Sequence, residues 1–170
     1  MSSLRGLSYL VTGSTDGIGK HTASLLAARG ATVLVHGRDR QRGEAALRDI
    51  ERASDGRGEL ELYVRDLASL EEVRALAKDV SARHARLHGL INNAGVFETR
   101  PRQSRDGHEL TFAVNVLAPY VLTGLLLGSA AAPRLDKVVN VSSISQTEGG
   151  GVIDFDNLQH EKGYDAHSAY

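Results

Sequence analysis

Three closely spaced glycines near the N-terminus could bind a phosphate group. They lie in the segment Thr12-Gly13-Ser14-Thr15-Asp16-Gly17-Ile18-Gly19, which follows a short apolar run and precedes a stretch with helical periodicity. The first glycine permits a tight turn, the second lets backbone amides approach phosphate oxygens, and the third allows the helix to pack closely against the strand. This order of apolar run, glycine segment and helix therefore predicts that residues 13–19 bind a dinucleotide pyrophosphate at the helix N-terminus. A glycine-rich turn without a ligand is the alternative, which this placement disfavours.

The residues after the second apolar run indicate which dinucleotide is bound. In many dinucleotide folds an acidic side chain here accepts hydrogen bonds from the ribose hydroxyls of adenosine and repels a 2′-phosphate. In this sequence the position is Gly37, and Arg38 follows it. Because a guanidinium can hold a phosphate through two parallel hydrogen bonds, the sequence favours NADP over NAD. The alternative is that Arg38 is an exposed residue of a basic loop with Arg40 and Arg42.

Short apolar runs alternate with longer helical stripes, which is typical of a parallel sheet covered by helices on both faces. Strands are predicted at 7–11, 32–36, 60–64, 87–91 and 137–141, and helices at 18–29, 40–52, 69–84 and 106–129. Right-handed crossovers favour the strand order 3-2-1-4-5, with ligands at the carboxyl ends of strands 1 and 4. We therefore predict one doubly wound, three-layer α/β/α domain of the Rossmann type over residues 1–170. Residues 144–170 should form a long loop and the beginning of a helix.

Composition argues against several kinds of partner. The 170 residues contain 20 Lys and Arg against 21 Asp and Glu, so no excess positive charge is present to bind nucleic acid or anionic lipid. No cysteine is present, and the 7 histidines show no spacing typical of metal ligands, so we expect surface histidines and no metal site. The longest apolar stretch, 121–132, is shorter than the roughly 20 residues of a membrane span. The expected location is cytoplasmic, since the first apolar run is too short for a signal sequence.

Several motifs, in the expected order, resemble those of the classical short-chain dehydrogenase/reductase family. The spacing G-x-x-x-G-x-G of residues 13–19 is the first, and Asn92-Asn93-Ala94-Gly95 after the fourth strand resembles the N-N-A-G segment of the family. The family's active-site asparagine lies in a segment that resembles Phe112-Ala113-Val114-Asn115-Val116. The strand that delivers the family's catalytic serine resembles Val139-Asn140-Val141-Ser142-Ser143. The resemblance implies that five further residues contact the cofactor: Asp66 (beside the adenine), Leu67, Asn92, Ala94 and Gly95.

Two surface segments resemble the retinol-dehydrogenase-like branch of that family. They are Arg105-Asp106-Gly107-His108-Glu109 and residues 153–159. The alternative is that both are generic caps and turns. Membership of this branch would also explain the long insertion between the predicted serine and the predicted tyrosine.

The resemblance implies an alcohol:NADP oxidoreductase that acts on a small-molecule alcohol/carbonyl pair. Reducing a carbonyl also needs a proton, and a free tyrosine with a pKa of about 10 is too weak a donor. The family uses Y-x-x-x-K, in which the lysine favours phenolate. Tyr164 does not fit because Ser168 stands at the lysine position, whereas Tyr170, preceded by Ser168-Ala169, fits the lead-in. By resemblance, Ser143 bonds the substrate oxygen, Asn115 positions a helix kink and a relay water, and Tyr170 is the acid.

The sequence given stops at Tyr170, before the lysine and before the last strands and helices of the family pattern. We therefore expect a partial form with little or no activity of its own. A fifth strand with no sixth beside it also predicts either poor solubility or edge-to-edge association of copies of the chain into a homo-oligomer. A first alternative is a module that binds NADP without turnover. A second is a nucleotide-sugar epimerase of the extended branch, which is disfavoured because such proteins resemble G-x-x-G-x-x-G and generally lack N-N-A-G.

Overall fold

Five parallel strands form the central sheet in the computed structural model, which describes residues 2–128, 134–145 and 152–170. The strands are β1 (Ser8–Val11), β2 (Thr32–Gly37), β3 (Glu59–Val64), β5 (Gly89–Asn92) and β7 (Val138–Asn140). They lie in the order β3-β2-β1-β5-β7. A separate parallel pair consists of β4 (Arg86–Leu87) and β6 (Arg134–Leu135). The predicted order 3-2-1-4-5 is therefore confirmed for the central sheet.

Helices cover both faces of the sheet, as the alternating pattern predicts. They are α1 (Gly17–Ala28), α2 (Arg40–Ala53), α3 (Leu70–Arg83), α4 (Leu110–Phe112), α5 (Ala118–Gly128) and α6 (Ala166–Ala169), with a π-helical turn at Ala113–Leu117 between α4 and α5. Buried side chains of α1 and α2 pack on one face of the sheet, and those of α3 and α5 pack on the other. The three-layer α/β/α architecture is thus confirmed, and the predicted bounds of α1, α2 and α3 are correct to within one residue.

The fourth predicted strand and the fourth predicted helix both differ from the structure. The strand predicted at 87–91 is interrupted at His88, so that Leu87 pairs in the small sheet and β5 begins at Gly89. The helix predicted from residue 106 begins at Leu110, because the carboxylate of Glu109 accepts hydrogen bonds from the backbone N–H groups of Thr111 and Phe112 and caps the helix there. Residue 129, its predicted end, lies outside the described residues.

One helical stretch in the described part of the chain, Leu110–Gly128, is long and apolar enough to cross a membrane by length and composition alone. Leu122 and Leu126 on this stretch are buried against the sheet, as in a core helix, so the length is weak evidence for a span. A cytoplasmic location stays a prediction. At the sheet edge, Val139 of β7 is partly exposed, and association into a homo-oligomer also stays a prediction.

Candidate active site

The loops after β1 and β5 are joined at the carboxyl edge of the sheet by Thr12. Its hydroxyl oxygen accepts hydrogen bonds from the backbone N–H groups of Asn93 and Ala94, each at 3.0 Å. The side-chain Nδ2 of Asn93 donates to the carbonyl oxygen of Thr12 at 2.9 Å. The glycine loop and the Asn-Asn-Ala-Gly segment are therefore held together as one unit, at the place where ligands bind in open α/β sheets.

Two glycines are required by the geometry of this unit. Gly13 has φ +64°, and a Cβ placed on it would lie 2.8 Å from the Cα of Ala94. A Cβ on Gly19 would lie 2.5 Å from the carbonyl oxygen of Gly13. The tight turn predicted at Gly13 and the close helix packing predicted at Gly19 are both present, because any other residue would force the loops apart.

A cavity of about 490 Å³ opens between the N-terminus of α1 and the ends of β2 and β3, and we call it the glycine-loop cavity. It brings together all the predicted cofactor-binding residues except Ser14 and Asn92: Gly13, Thr15, Asp16, Gly17, Ile18, Gly19, Arg38, Asp66, Leu67, Ala94 and Gly95. The cavity is also lined by residues outside the predicted set, among them His36, Arg42 and Asn93. Asn93 lies inside the N-N-A-G motif, which was the signal that could have identified it.

Ser14 and Asn92 do not face the glycine-loop cavity. Ser14 is fully buried, and its hydroxyl donates to the carbonyl oxygen of Val11 at 2.7 Å. Asn92 is also buried, and its Nδ2 donates to Thr123 Oγ1 at 3.1 Å and to Asn140 Oδ1 at 2.8 Å. The structure therefore gives Ser14 a contact within the fold and places Asn92 beside a second cavity.

The mouth of the glycine-loop cavity carries both positive and negative side chains. Arg42 Nη2 lies 3.2 Å from the carboxylate of Asp16, and the carboxylate of Asp39 accepts a hydrogen bond from the backbone N–H of Arg42 at 2.7 Å. Arg38 is exposed at the same mouth, and no described residue forms an ion pair or side-chain hydrogen bond with it. A phosphate entering this cavity would therefore find the guanidinium of Arg38 ready to bind.

A buried histidine, His36, forms a hydrogen bond with the backbone of the glycine loop. The imidazole Nδ1 of His36 accepts a hydrogen bond from the backbone N–H of Gly13 at 3.2 Å, and its Nε2 lies 3.1 Å from the carbonyl oxygen of Arg65. Burial lowers the pKa of His36 to about 4, so the ring is neutral at physiological pH. The expectation of surface histidines is therefore wrong for His36. Its position within the apolar run of β2 was the available signal.

A second cavity, of about 870 Å³, adjoins the first, and we call it the serine cavity. The two cavities share Asn93, Ala94 and Gly95 as a common wall. The serine cavity is lined by all three residues predicted to be catalytic: Asn115, Ser143 and Tyr170. Residues from three separate parts of the chain thus converge on one space beside the predicted cofactor site.

Asn115 lies within the π-helical turn, a feature that is rare and is often found at functional sites. The predicted helix kink at Asn115 thus coincides with a local change of helix type. Ser143 follows β7, and its hydroxyl lies 3.2 Å from that of Ser145. Both residues stand at the carboxyl side of the sheet, where a substrate would approach.

Of the two late tyrosines, Tyr170 is the one that reaches the serine cavity. It follows the short helix α6, and its ring packs edge-on against Phe97 with the centroids 5.3 Å apart. The hydroxyl of Tyr164 instead donates to the carbonyl oxygen of Glu98 at 2.6 Å, and desolvation raises its pKa. Tyr164 is absent from the lining of both cavities. The geometry therefore favours Tyr170 over Tyr164 as a proton donor.

Comparison with known proteins decides the family. The sequence model of the short chain dehydrogenases matches residues 8–153, which is most of the chain. The chain belongs to this family. Retinol dehydrogenase 11 of Mus musculus is 43% identical over 169 residues, covering 98% of this chain and 52% of the relative. Retinol dehydrogenase 14 of Homo sapiens is 37% identical over 179 residues, covering 98% and 53%. The predicted resemblance to the retinol-dehydrogenase-like branch is confirmed.

Solved structures agree with this assignment and with the Rossmann-type fold. An uncharacterized protein from Mycobacterium paratuberculosis matches with a TM-score of 0.83 and 34% identity, over 100% of this short-chain dehydrogenase and 58% of that chain. A metagenomic short-chain oxidoreductase in complex with NADP matches with a TM-score of 0.67 and 33% identity, over 84% and 64%. The short-chain dehydrogenase spans about half the length of the curated relatives it matches.

Proposed function

We propose that this short-chain dehydrogenase binds NADP in the glycine-loop cavity and supplies the serine cavity for hydride transfer to or from an alcohol/carbonyl pair. The observation that carries the proposal is the common wall of the two cavities, formed by Asn93, Ala94 and Gly95. A cofactor in the first cavity and a substrate in the second would be neighbours across that wall. The three predicted catalytic residues line the substrate side.

The residues of the glycine-loop cavity fit a dinucleotide phosphate. The close approach at Gly13 leaves no room for a side chain between the loop and Ala94, so the loop keeps its tight turn. The N-terminus of α1 faces the cavity, so its dipole and the backbone N–H groups of its first turn favour an anion. Arg38 supports NADP over NAD because its exposed guanidinium, with which no described residue forms an ion pair, suits the 2′-phosphate. A bound nicotinamide supplies or accepts the hydride.

The protein side chains have separate tasks in this proposal. The Ser143 hydroxyl donates a hydrogen bond to the substrate oxygen, and the Tyr170 hydroxyl exchanges the proton with that oxygen. Asn115 holds the π turn against the wall of the cavity.

An apolar alcohol or aldehyde is the substrate class that suits the serine cavity. Much of its lining is hydrocarbon, contributed by Val116, Tyr120, Leu125, Leu127 and Val141. An apolar ligand that binds there would be stabilised by about 25 cal/mol for each Å² of its apolar surface that the protein removes from water. Since the relatives are named retinol dehydrogenases, retinol and retinaldehyde are the first substrates to test.

Titration with NADPH and NADH tests the proposal directly. We expect NADPH to bind at least about tenfold tighter than NADH, since one charge-assisted phosphate contact is worth about 1.5–3 kcal/mol. If neither dinucleotide binds, the proposal fails. Binding of NADPH without any oxidation by retinaldehyde would instead favour the second candidate, a module that binds NADP without turnover. If retinaldehyde is reduced, Ser143→Ala should abolish the reaction and leave NADPH affinity unchanged.

A further inference from the structure

We propose that His36 is a positioning residue for the dinucleotide: a neutral imidazole at this place sets the shape of the loop that receives the pyrophosphate. The proposal rests on the binding of NADP in the glycine-loop cavity. It adds a residue that neither the glycine motif nor the other matched motifs contain. His36 touches no reacting atom, so its effect would be on affinity through Gly13.

The hydrogen bonds of His36 fix its tautomer. The ring is 2% exposed, and Nδ1 accepts from the backbone N–H of Gly13. Because Nδ1 must carry the lone pair, the proton sits on Nε2, which donates to the carbonyl oxygen of Arg65. Both ring nitrogens are therefore satisfied by backbone groups of two different loops, with no capacity left over.

Both bonded loops line the glycine-loop cavity. Gly13 opens the glycine loop, and Arg65 immediately precedes Asp66, which also lines the cavity. One imidazole thus sets the distance between them. The backbone of His36 adds a second link, because its N–H donates to Ser14 Oγ and its carbonyl accepts from the Ser14 N–H, both at 2.9 Å. An aliphatic side chain at position 36 would keep the backbone link and lose both ring bonds.

Protonation would break the same arrangement. A proton on Nδ1 would face the N–H of Gly13, donor against donor, and push the glycine loop away. Burial opposes this by lowering the pKa of His36 to about 4, whereas Asp66 favours the charged form. Of the other charged groups nearby, Arg65 is paired with Asp79 at 2.6 Å and Asp16 with Arg42 at 3.2 Å. NADPH affinity should therefore weaken as the pH approaches the folded-state pKa of His36, about 4.

His88 offers a matched control for a purely structural role. Its Nδ1 also accepts a backbone N–H, that of Ser8, at 3.0 Å. This bond lies at the opposite end of β1, and His88 lines neither cavity. Replacing His88 therefore removes a bond of the same kind from the same strand without touching the proposed cofactor site.

The experiment measures NADPH affinity by calorimetry and Tm for the 170-residue chain and its His36→Leu, His36→Gln and His88→Leu variants. At neutral pH, His36→Leu should weaken NADPH binding about tenfold, which corresponds to the loss of one to two hydrogen bonds. His36→Gln, which keeps an acceptor and a donor, should recover most of that affinity. His88→Leu should lower Tm and leave affinity within about twofold. As the pH approaches 4, affinity should fall more steeply for the parent than for His36→Gln.

Each outcome bears on one proposal or the other. A parent chain that binds no dinucleotide overturns the proposed function and, with it, the role of His36. A parent that binds NADPH while His36→Leu binds it equally well overturns only the role of His36. Equal loss of affinity in His36→Leu and His88→Leu, in step with Tm, would also overturn it, because His36 would then act through stability alone. If His36→Leu does not fold, parallel pH profiles of the parent and His36→Gln would contradict the proposal.

Discussion

The side-chain amide of Asn115 and the backbone of Val96 form two reciprocal hydrogen bonds. The N–H of Val96 donates to Asn115 Oδ1 at 2.8 Å, and Asn115 Nδ2 donates to the carbonyl oxygen of Val96 at 2.9 Å. Val96 directly follows the wall that the two cavities share. The π-helical turn that carries Asn115 is therefore fixed to that wall, and a side chain expected to serve catalysis also has a structural task.

Replacing Asn115 should cost stability as well as activity. Asn115→Leu leaves two backbone groups of Val96 without their partners, so we expect the free energy of unfolding to fall by about 2 kcal/mol. Urea denaturation would measure this. Val116→Ala, in the same turn at a half-exposed position, should change stability by less than about 0.5 kcal/mol. If the two variants were equally stable, the reciprocal bonds with Val96 would contribute nothing to the fold.

Charge reversal at Arg38 should change the preferred cofactor. Arg38→Glu places a carboxylate where the 2′-phosphate is proposed to bind, so NADPH affinity should fall at least about tenfold while NADH affinity holds or improves. Arg40→Glu is the control, since Arg40 is exposed nearby and does not line the cavity. Calorimetric titration with both dinucleotides gives the two ratios. An unchanged ratio for Arg38→Glu would count against NADP selection by this residue.

Removing the charge of Asp16 should strengthen phosphate binding. Asp16 caps α1 through the N–H of Gly17 and pairs with Arg42, so its carboxylate stands at the anion site. Asp16→Asn keeps a good helix cap and frees Arg42, and we expect NADPH affinity to rise about threefold at low salt and much less at high salt. Asp55→Asn is a close control, because Asp55 forms an equally exposed ion pair with Arg57 away from both cavities. Weaker binding by Asp16→Asn would show that the carboxylate assists the ligand.

The sequence predicts the sheet order and most of the glycine-loop cavity because both follow from local patterns. Apolar runs and helical stripes mark the strands and helices, and glycines mark the places where two segments of the chain approach closely. His36 escaped prediction because a single polar residue in an apolar strand is compatible with either face, and only tertiary contacts show what it binds. The π turn at Asn115 could not be recognised from the periodicity, because its 5 residues are fewer than the roughly 11–18 over which an apolar stripe is recognised.

Ser14 and Asn92 were predicted to contact the cofactor, but their side chains do not line the glycine-loop cavity. Both belong to matched motifs, yet their side chains bond to other parts of the fold and not to the glycine-loop cavity. A motif records which positions a fold requires, and some of those positions hold the binding loop together without reaching the ligand. Sorting the two kinds needed the hydrogen bonds, which the spacing of residues does not contain.

Two helical glycines should respond in opposite ways to alanine. In Gly19→Ala the new Cβ meets the backbone of Gly13, so we expect a loss of stability of at least about 1–3 kcal/mol and a loss of NADPH affinity. In Gly124→Ala on α5 nothing lies within 4 Å of the new Cβ, so the helix should gain about 0.5–1 kcal/mol. Urea denaturation of both variants compares them. A neutral Gly19→Ala would mean that the glycine loop is free to move aside.

Stability at acid pH should report the burial of His36. Its pKa is about 4 in the folded chain against 6.5 when solvated, so between these values the unfolded chain binds more protons and folding weakens as the pH falls. The stabilisation is fully present above pH 6.5, and about 3 kcal/mol of it should be lost by pH 4. Asp49 and Asp136, whose pKa values are lowered by hydrogen bonds from Lys20 and Arg86 respectively, weaken the fold further in acid.

Comparing the free energy of unfolding of the parent and of His36→Gln separates the contribution of the histidine from that of these carboxylates. His36→Gln keeps every aspartate and has no titrating group at position 36, so its free energy of unfolding should fall less between pH 6.5 and 4 than that of the parent. Urea denaturation at a series of pH values gives both curves. If the curves run parallel, the imidazole takes up its proton without disturbing the fold. The imidazole would then be exposed to water in solution. That result would contradict a buried, neutral ring with hydrogen bonds to Gly13 and Arg65.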